Sequence, residues 1–388
     1  MLSREENERF TRVGPGTPAG EVLRRYWWPV GFTDHVQGAR PQKVRLLGEE
    51  FVLFRDGAGR LGLLELLCAH RRTSLALGRV EERGVRCCYH GWLFDAGGRC
   101  LEQPCEEASD VFLDQVRLKS YPVQEAAGLV FAYIGPLPAP LLPKYDLLQW
   151  QGGKSAVWSI FHQCNWLQTV ENACDVSHVP WLHAGPYPEF AGKRPRITWE
   201  RAPWGLHYEM QLEGFTGVDT GEVIFPGHNR FASGRHGKTT SLLKDRNQDV
   251  RHNLAFRVPL DDFSTCLYVL GIYPDREHSR VTVGERKLAP GQYEAVDDGW
   301  WNIASRDQDR AALEGQGPIT DRSTEYLAPS DRGVALYRAM LRDAMRAVAE
   351  GHDPIGVIRD PTADKLIEFD THRYDLVPRL REFAAAAN

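Results

Sequence analysis

Residues 68–92 read CAHRRTSLALGRVEERGVRCCYHGW, and this stretch decides how the N-terminal part of the chain folds. Cys68 and His70 stand two positions apart, and Cys87 and His90 stand three positions apart after a gap of sixteen residues. Each pair is short enough for one tight loop to direct both side chains at a single point. Thiolates and imidazoles are ligands of zinc and of some iron–sulfur clusters. The pattern therefore predicts a metal site, with a structural zinc ion and a [2Fe–2S] cluster as the alternatives.

The sequence around this stretch is typical of an all-β unit. Residues 40–135 contain short apolar and polar alternations, such as KVRLLGEEFVLFR, separated by the turn sequences DGAG and AGG. The segment GPLPAPLLPK at 135–144 has four prolines in ten residues, which excludes a helix or a central strand. We therefore expect a β-rich unit that ends in a linker near residue 140.

The stretch VENACDVSHVPWLHAG at 170–185 contains a second group of candidate ligands. On a helix, Glu171, Asp175 and His178 would lie within about 60° of one another, and His183 would point away. Pro180 disfavours a continuous helix, and a break there could bring both imidazoles to one centre. Two His and one carboxylate form the facial triad of non-haem Fe(II) oxygenases. The alternative is a pair of surface histidines on an amphipathic helix.

The remainder of the chain predicts a second unit with a sheet and helices. Antiparallel strands are expected over about 196–275, with a hairpin that turns at 260–262. Helices are expected near 300–314 and 331–350, and apolar residues recur at helical spacing in the second of these. We interpret that apolar stripe as core packing.

A basic stretch within the predicted strands could recognise substrate. It reads GEVIFPGHNRFASGRHGK at 221–238 and offers Arg230, Arg235 or His236 as partners of a carboxylate. A solvated basic loop is the alternative. Phe225 and Phe231 could line an apolar slot or pack in the core.

Composition and charge exclude several classes of protein. The formal net charge of −5 gives no sign of the basic face that nucleic-acid binding requires. The start MLSREENERF lacks an apolar signal region, and no apolar run approaches the length of a membrane span. We expect a cytoplasmic protein without nucleic-acid or membrane partners, whose eight cysteines are ligands or buried thiols and not disulfides. Six lie outside the ligand pattern and are expected to be small buried residues: Cys88, Cys100, Cys105, Cys164, Cys174 and Cys266.

The first motif, C-x-H-x16-C-x-x-H followed by Gly91 and Trp92, resembles the Rieske domain of ring-hydroxylating oxygenases. In such a cluster two Cys hold one iron and two His hold the other. The resemblance implies Cys68, His70, Cys87 and His90 as cluster ligands. The family usually has Pro before the Tyr of the second loop, where this chain has Cys88, so Cys87 is the residue that keeps the ligand spacing.

The second motif, E-N-x-x-D-x-x-H-x4-H, resembles the iron motif of the same oxygenases. The resemblance implies that His178 and His183 bind iron and that Asn172 lies near it. It also implies that Asp175 links one of these histidines to a Rieske histidine of a neighbouring subunit. Glu171 is expected to be a supporting carboxylate.

The third iron ligand follows from resemblance and not from spacing. The stretch WNIASRDQDRAALEGQGPITDRSTEYLAPSD at 301–331 is similar to the C-terminal signature of the phthalate-dioxygenase-like branch. This similarity implies Asp309 as the ligand in preference to Asp307. The N-terminal stretch LSREENERFTRVGPGTPAGEVLRRYWWPV also resembles the opening of phthalate-type oxygenase components.

The resemblance covers nearly the whole chain and implies an α+β fold. Residues 1–35 would form an N-terminal helical segment that packs on the catalytic domain. Residues 36–140 would form an all-β Rieske [2Fe–2S] domain. Residues 141–388 would form a helix-grip catalytic domain with a mononuclear iron, an antiparallel sheet and flanking helices.

The implied function is that of the terminal oxygenase component of a multicomponent system. Such a component uses O2 to hydroxylate or O-demethylate a small aromatic compound, here an aromatic acid or an aryl methyl ether. Its electrons come from NAD(P)H through a separate flavin and iron–sulfur reductase, with or without a ferredoxin, and the subunits form a homotrimer. Two alternatives are a Rieske-type electron-transfer protein without oxygenase activity and a zinc-stabilised binding module.

Overall fold

A computed structural model describes residues 2–107, 110–184, 191–215, 218–234, 250–274, 276–286, 288–289, 291–293, 303 and 305–369. Two short helices open the chain, α1 (Arg4–Thr11) and α2 (Pro18–Leu23). The side chains of Ser3 and Thr17 cap them by accepting a hydrogen bond from the backbone N–H three residues later. Helix α1 contacts a later helix at Trp166–Ala173, and α2 contacts the helix at Arg332–Ala349.

The part of the chain that carries the first motif is built from short antiparallel strands, as predicted. Its elements are β1 (Trp28–Phe32), β2 (Gln42–Leu46), β3 (Glu49–Arg55), β4 (Leu61–Glu65), β5 (Arg79–Glu81), β6 (Gly84–Arg86), β7 (Leu93–Phe94), β8 (Cys100–Glu102), α3 (Asp110–Gln115), β9 (Ser120–Tyr121), β10 (Val123–Ala126) and β11 (Leu129–Ala132). They form three sheets, with strand orders β1-β11-β10, β2-β3-β4-β9 and β5-β6-β7-β8. The loop after β4 and the loop between β6 and β7 carry the two halves of the motif.

The rest of the described chain forms one large sheet with helices packed on it. Its elements are β12 (Lys154–His162), α4 (Trp166–Ala173), α5 (Val179–Leu182), β13 (Pro195–Ala202), β14 (Gly205–Leu212), β15 (Val218–Ile224), β16 (His228–Gly234), β17 (Val250–Asp261), β18 (Ser264–Tyr273), β19 (Ser279–Arg286), α6 (Ser305–Glu314) and α7 (Arg332–Ala349). The strand order is β13-β14-β15-β16-β17-β18-β12-β19. Its neighbours are antiparallel except for β12 and β19, which are parallel. The predicted α+β architecture is confirmed.

The predicted hairpin exists, but its turn lies slightly later than expected. Asp261 at the end of β17 pairs with Ser264 at the start of β18, so the turn consists of Asp262 and Phe263. The side-chain oxygen of Asp261 accepts hydrogen bonds from the Phe263 N–H and the Ser264 hydroxyl, at 2.9 and 2.7 Å. This local bonding closes the turn after Asp261.

The two sides of the large sheet have different surroundings. On one side, Phe256 of β17 packs in the main hydrophobic core, with its ring centroid 5.4 Å from that of Phe131. Side chains alternate along a strand, so the next residue, Arg257, points to the other side. There its Nε donates to the backbone carbonyl of Thr169 in α4, at 2.6 Å. We call this second side the α4-facing side of the sheet.

None of the helices in the described ranges is long and apolar enough to cross a membrane.

Candidate metal centres

The four residues of the first motif come together at two neighbouring loops. Cys68 and Cys87 are buried, and the ring centroids of His70 and His90 are 4.5 Å apart. The indole ring of Trp92 stacks on the His70 ring, with centroids 4.5 Å apart and planes 3° from parallel. The structure therefore places two thiols on the buried side of this cluster of residues and two half-buried imidazoles on its outer side.

Backbone hydrogen bonds hold each loop in a tight turn. The Cys68 N–H donates to the carbonyl of Thr73, and the Cys87 N–H donates to the carbonyl of Trp92, at 2.9 and 2.8 Å. Gly91 has a φ of +73°, a left-handed conformation that favours glycine. Arg86 donates to the Gly91 carbonyl at 2.6 Å. These contacts fix the second loop relative to strand β6.

The chemistry of the four donors fits a [2Fe–2S] cluster. Burial raises the pKa of the Cys68 thiol to about 11, and the neighbouring Cys87 acts in the same direction. Ligation to a metal would stabilise the thiolates that burial disfavours. The Nδ1 atom of His70 is buried and has no hydrogen-bond partner within the described structure, which suits a metal-binding nitrogen.

The prediction that six cysteines are buried is wrong for two of them. Cys88 and Cys105 are exposed, whereas Cys100, Cys164, Cys174 and Cys266 are buried as expected. Cys88 follows Cys87 at the tip of the second loop. The Cys87 side chain is buried, whereas the Cys88 side chain points to solvent. The Sγ atom of Cys105 lies 3.9 Å from the carbonyl oxygen of His90 on the same surface.

A second group of ligand-type side chains forms where α5 meets α6. His178, His183 and Asp309 each offer one ligand atom, and these atoms lie within 4.8 Å of one another. The Asp309 Oδ1 atom is 3.4 Å from the Nε2 atom of each histidine. Asp307, the alternative carboxylate, points elsewhere and forms a buried ion pair with Arg286 at 2.9 Å. Asp309 is therefore the carboxylate at this centre.

The helix break lies before His178 and not at Pro180 as predicted. Helix α4 ends at Ala173, so Glu171, Asp175 and His178 do not share one helical face. The Asp175 side chain accepts a hydrogen bond from the Ser177 N–H at 2.9 Å, a local turn that competes with helix formation. Pro180 instead stands in the first turn of α5, where its missing N–H has no cost.

Hydrogen bonds orient the two imidazoles and the carboxylate. The Nδ1 atom of His183 donates to Oε1 of the buried Gln308 at 2.8 Å, which leaves Nε2 directed at Asp309. The Nδ1 atom of His178 is hydrogen-bonded to the backbone carbonyl of Asp175. Asn172 Nδ2 donates to the Asp309 Oδ1 atom at 3.2 Å. Gln308 was missed in the sequence analysis, although it immediately precedes Asp309.

Charge at this centre favours an ionised carboxylate. Burial raises the pKa of Asp309, but the two imidazoles outweigh this effect and hold the pKa well below its usual range. Burial lowers the pKa of His183, and the neighbouring Asp309 together with Gln308 raises it above its usual value. Two His and one carboxylate are the donor set of a non-haem Fe(II) ion.

Two other acidic residues of the second motif have different surroundings. Glu171 accepts hydrogen bonds from Arg322 and Arg338, at 2.8 and 2.6 Å, and so links α4 to the C-terminal helix α7. Asp175 remains about a third exposed, at 31%, and its Oδ2 atom lies 4.0 Å from His178 Nδ1. Asp175 can therefore be reached by another molecule, whereas Glu171 is occupied by two arginines.

The basic stretch that was considered for substrate recognition divides between two environments. Arg230 is fully buried on the core side of the sheet, where it forms an ion pair with Asp146 at 3.1 Å. Phe225 is also a core residue, but Phe231 is only half-buried. Arg235 and His236 lie outside the described residues. The interpretation of Arg230 as a substrate contact is therefore wrong.

Comparison with known proteins identifies relatives over the whole length. A family profile described as "Rieske [2Fe-2S] domain" matches residues 26–122. The chain is 36% identical to the 5,5'-dehydrodivanillate O-demethylase oxygenase subunit of Sphingobium sp. (strain NBRC 103272 / SYK-6), over 97% of this chain and 88% of that protein. It is 37% identical to the phenoxybenzoate dioxygenase subunit alpha of Ectopseudomonas oleovorans, over 90% of this chain and 87% of that protein.

A solved structure shows the same fold at lower identity. The terminal oxygenase of carbazole 1,9a-dioxygenase from Nocardioides aromaticivorans IC177 superposes with a TM-score of 0.63 and 19% identity. The match covers 88% of this chain and 97% of that chain. The arrangement of a β-rich unit before a large sheet is thus shared with that protein.

Proposed function

Because the chain belongs to the Rieske non-haem iron oxygenases, as an oxygenase subunit that uses a [2Fe–2S] cluster and a non-haem iron, we propose that it oxygenates a small aromatic acid or an aryl methyl ether. The observation that carries the proposal is the convergence of His178, His183 and Asp309 beside helix α4, whose Asn172 binds Asp309. The names of the two relatives support the substrate class, since both contain aromatic acids or their ethers.

We assign the cluster to Cys68, His70, Cys87 and His90. The buried thiols and the unpartnered Nδ1 of His70 support this assignment. We further assign residues 36–140 to the cluster domain and residues 141–388 to the catalytic domain. Residues 1–35 pack on the catalytic domain in this assignment, and the contacts of α1 with α4 and of α2 with α7 support it.

We assign the mononuclear iron to His178, His183 and Asp309. Iron bound there supplies the activation of O2 with two electrons. Gln308 holds His183 in the tautomer that presents Nε2 to the metal. Asn172 holds the carboxylate of Asp309 by a hydrogen bond to Oδ1. These contacts keep the three donors directed at one point.

Demethylation of one aryl methyl ether consumes one O2, two electrons and two protons. It gives one phenol, one formaldehyde and one water. A C–H bond of the methyl group is hydroxylated to give a hemiacetal. The bond between the ether oxygen and the hydroxylated carbon then breaks, the hydroxyl proton passes to the phenol oxygen, and formaldehyde leaves. The electrons come from NAD(P)H through a separate reductase, with or without a ferredoxin.

We propose that electrons reach the iron across a contact between subunits of a homotrimer. Asp175 would accept hydrogen bonds from His178 on its own chain and from a cluster-ligating histidine of the neighbouring subunit. The partial exposure of Asp175 supports this role. The exposed Trp181 lies on the adjacent helix α5 and could contribute to the same contact.

The test begins with metal and sulfide analysis of anaerobically purified protein. We expect about three irons and two acid-labile sulfides per chain, from one [2Fe–2S] cluster and one mononuclear site. Turnover is then measured as formaldehyde release from methoxybenzoates with a reductase, NAD(P)H and O2. His178→Ala should keep the visible spectrum of the cluster and lose both the third iron and the turnover.

The alternatives give different results in the same measurements. A Rieske-type electron-transfer protein would contain two irons and two sulfides and would bind no further Fe(II) when it is added. A zinc-stabilised module would be colourless and contain no sulfide. Retained turnover in His178→Ala would contradict the assignment of the iron site.

A further inference from the structure

The α4-facing side of the sheet has a continuous surface formed by four adjacent strands. Residues that pair directly across neighbouring strands lie on the same side of a sheet. In the observed register Asn229 pairs with Ala255, Ala255 with Val269, and Val269 with Trp158. One step along the strands, Arg257 pairs with Leu267, and Leu267 pairs with Ile160. These seven residues contain one arginine and one asparagine, and the other five are apolar.

This surface lies opposite the metal centre. Arg257 binds the Thr169 carbonyl of α4, and Asn172, one turn further along α4, binds Asp309. Burial lowers the pKa of Arg257 to about 10, whereas Cys174 and Asp309 act in the opposite direction, so Arg257 is within electrostatic reach of Asp309. A ligand between the sheet and the proposed iron site would therefore contact this surface.

Part of the surface is open although it lies in the middle of the sheet. Strands β12, β16, β17 and β18 are flanked on both sides by further strands. Four of their side chains on the α4-facing side are nevertheless only half-buried, namely Trp158, Asn229, Phe231 and Leu267. Fully packed helices would have covered these residues. The half-buried set therefore marks the floor of a space between the sheet and the helices.

Arg257 differs from the other buried arginines in its partners. Five others are buried, and each has a carboxylate within ion-pair distance: Arg24, Arg230, Arg310, Arg322 and Arg338. Arg257 is 7% exposed and has no acidic partner among the described residues. Its Nε donates to the Thr169 carbonyl and its Nη1 to Asn229 Oδ1, both at 2.6 Å, and both acceptors are neutral.

A buried cation without a carboxylate in direct contact is costly unless a ligand supplies one. Removing an ion from water has a large free-energy cost, which a neutral acceptor offsets only in part. The guanidinium also has a fork of donors that matches a carboxylate. No hydrogen bond of Nη2 is present within the described ranges, so this nitrogen remains available. The amide oxygen of Asn229 holds the neighbouring Nη1.

We propose that Arg257, oriented by Asn229, binds the carboxylate of the aromatic substrate. The ring of that substrate then lies over Trp158, Leu267 and Phe231. This inference rests on the proposed function, which it deepens by assigning recognition of the acid to one residue. A purely structural role, in which Arg257 only ties α4 to β17, is the competing explanation.

The experiment compares acids with their uncharged amides, which have nearly the same shape. The probes are 3-methoxybenzoate, 3-phenoxybenzoate and 3-chlorobenzoate, each paired with its primary amide. Dissociation constants are measured by anaerobic calorimetry on the metal-loaded protein. We expect the wild-type protein to bind at least one acid roughly 10- to 100-fold more tightly than its amide, as for a buried charge-assisted hydrogen bond. Arg257→Gln should remove this preference and leave the binding of the amide nearly unchanged.

Arg251→Gln is the matched control, because Arg251 lies on the same strand and the same side of the sheet. Its guanidinium is 5.0 Å from the centre of the Trp158 ring. This variant should keep the preference for the acid. The proposal is wrong if the wild-type protein binds no acid more tightly than its amide or if Arg257→Gln keeps the preference. It is also wrong if Arg251→Gln, and not Arg257→Gln, loses it.

Two further variants keep the test decisive if Arg257→Gln does not fold. Arg257→Lys retains the charge but lacks the planar fork, and Asn229→Ala removes the orienting acceptor. Each should reduce the preference for the acid several-fold, and an unchanged preference in both would overturn the proposal. Iron content and formaldehyde release from 3-methoxybenzamide test the proposed function separately, since neither depends on a substrate carboxylate.

Discussion

Replacing Gln308 with leucine should weaken iron binding without disturbing the cluster. The Gln308 side chain is buried, and its Oε1 accepts the Nδ1–H of His183 at 2.8 Å. Leucine has similar size but no acceptor, so the buried Nδ1–H donor of His183 would lose its hydrogen bond to Gln308. Such a donor costs about 1–3 kcal/mol, and His183 would also be free to adopt the other tautomer or to rotate. One tenfold change in affinity corresponds to about 1.4 kcal/mol.

The dissociation constant for Fe(II) should therefore rise by about 10- to 100-fold. This range agrees with the usual effect of removing the hydrogen-bond partner of a metal-binding histidine. The assay removes the mononuclear iron with a chelator, verifies the visible spectrum of the cluster, and titrates Fe(II) anaerobically against a competing chelator. Gln308→Glu retains an acceptor at the same position and should bind Fe(II) at least as tightly as the wild-type protein.

A matched control separates loss of stability from loss of this contact. Gln168→Leu also removes a buried glutamine, whose Nε2 donates to the carbonyls of Leu313 and Gly317 at 3.0 Å. It should lower the free energy of unfolding but leave the Fe(II) affinity nearly unchanged. A dissociation constant for Gln308→Leu within about twofold of the wild-type value would refute the reasoning, as would equal losses of affinity in both variants.

Glu171→Gln should lower the free energy of unfolding by about 3–5 kcal/mol, because it leaves the buried Arg322 without a carboxylate partner, whereas Arg338 keeps Glu325; urea unfolding measures this, and a loss below about 1 kcal/mol would contradict it. Cys87→Ser should abolish the visible spectrum of the cluster, whereas Cys88→Ser should preserve it because Cys88 is exposed to solvent; the reverse result would show that the ligand is Cys88. Asp175→Asn should bind both metals but slow product formation by at least tenfold, and unchanged steady-state rates would exclude the bridging role.

Ligands that are close in sequence could be predicted, because short loops leave few alternatives. The pairs Cys68/His70 and Cys87/His90 are each confined to one loop, and the structure brings both pairs together. The pair His178/His183 is also local, yet the predicted geometry was wrong in detail. The prediction assumes that the helix continues through His178 as far as Pro180. The turn that Asp175 forms with Ser177 instead ends the helix before His178.

Residues whose role depends on distant partners could not be assigned from the sequence. Asp309 and Asp307 are two positions apart on α6, and only the fold shows that Asp307 faces Arg286 while Asp309 faces the imidazoles. Gln308 lies between them and reaches His183, which is 125 positions away in sequence. No local pattern contains this information, because helix α6 could be rotated about its axis without any change in its apolar periodicity.

Arg230 and Arg257 show how strand register determines the role of a charge. Both are buried arginines on adjacent strands of one sheet, and neither is distinguished by its flanking sequence. Arg230 pairs in register with Leu254, whereas Asn229, the neighbour of Arg230, pairs with Ala255. Arg230 therefore faces the core, where Asp146 neutralises it. Arg257 faces α4, where the described residues supply only neutral acceptors. Because burying a charge is costly, Asp146 neutralises the core arginine, and in our proposal the substrate carboxylate does the same for Arg257.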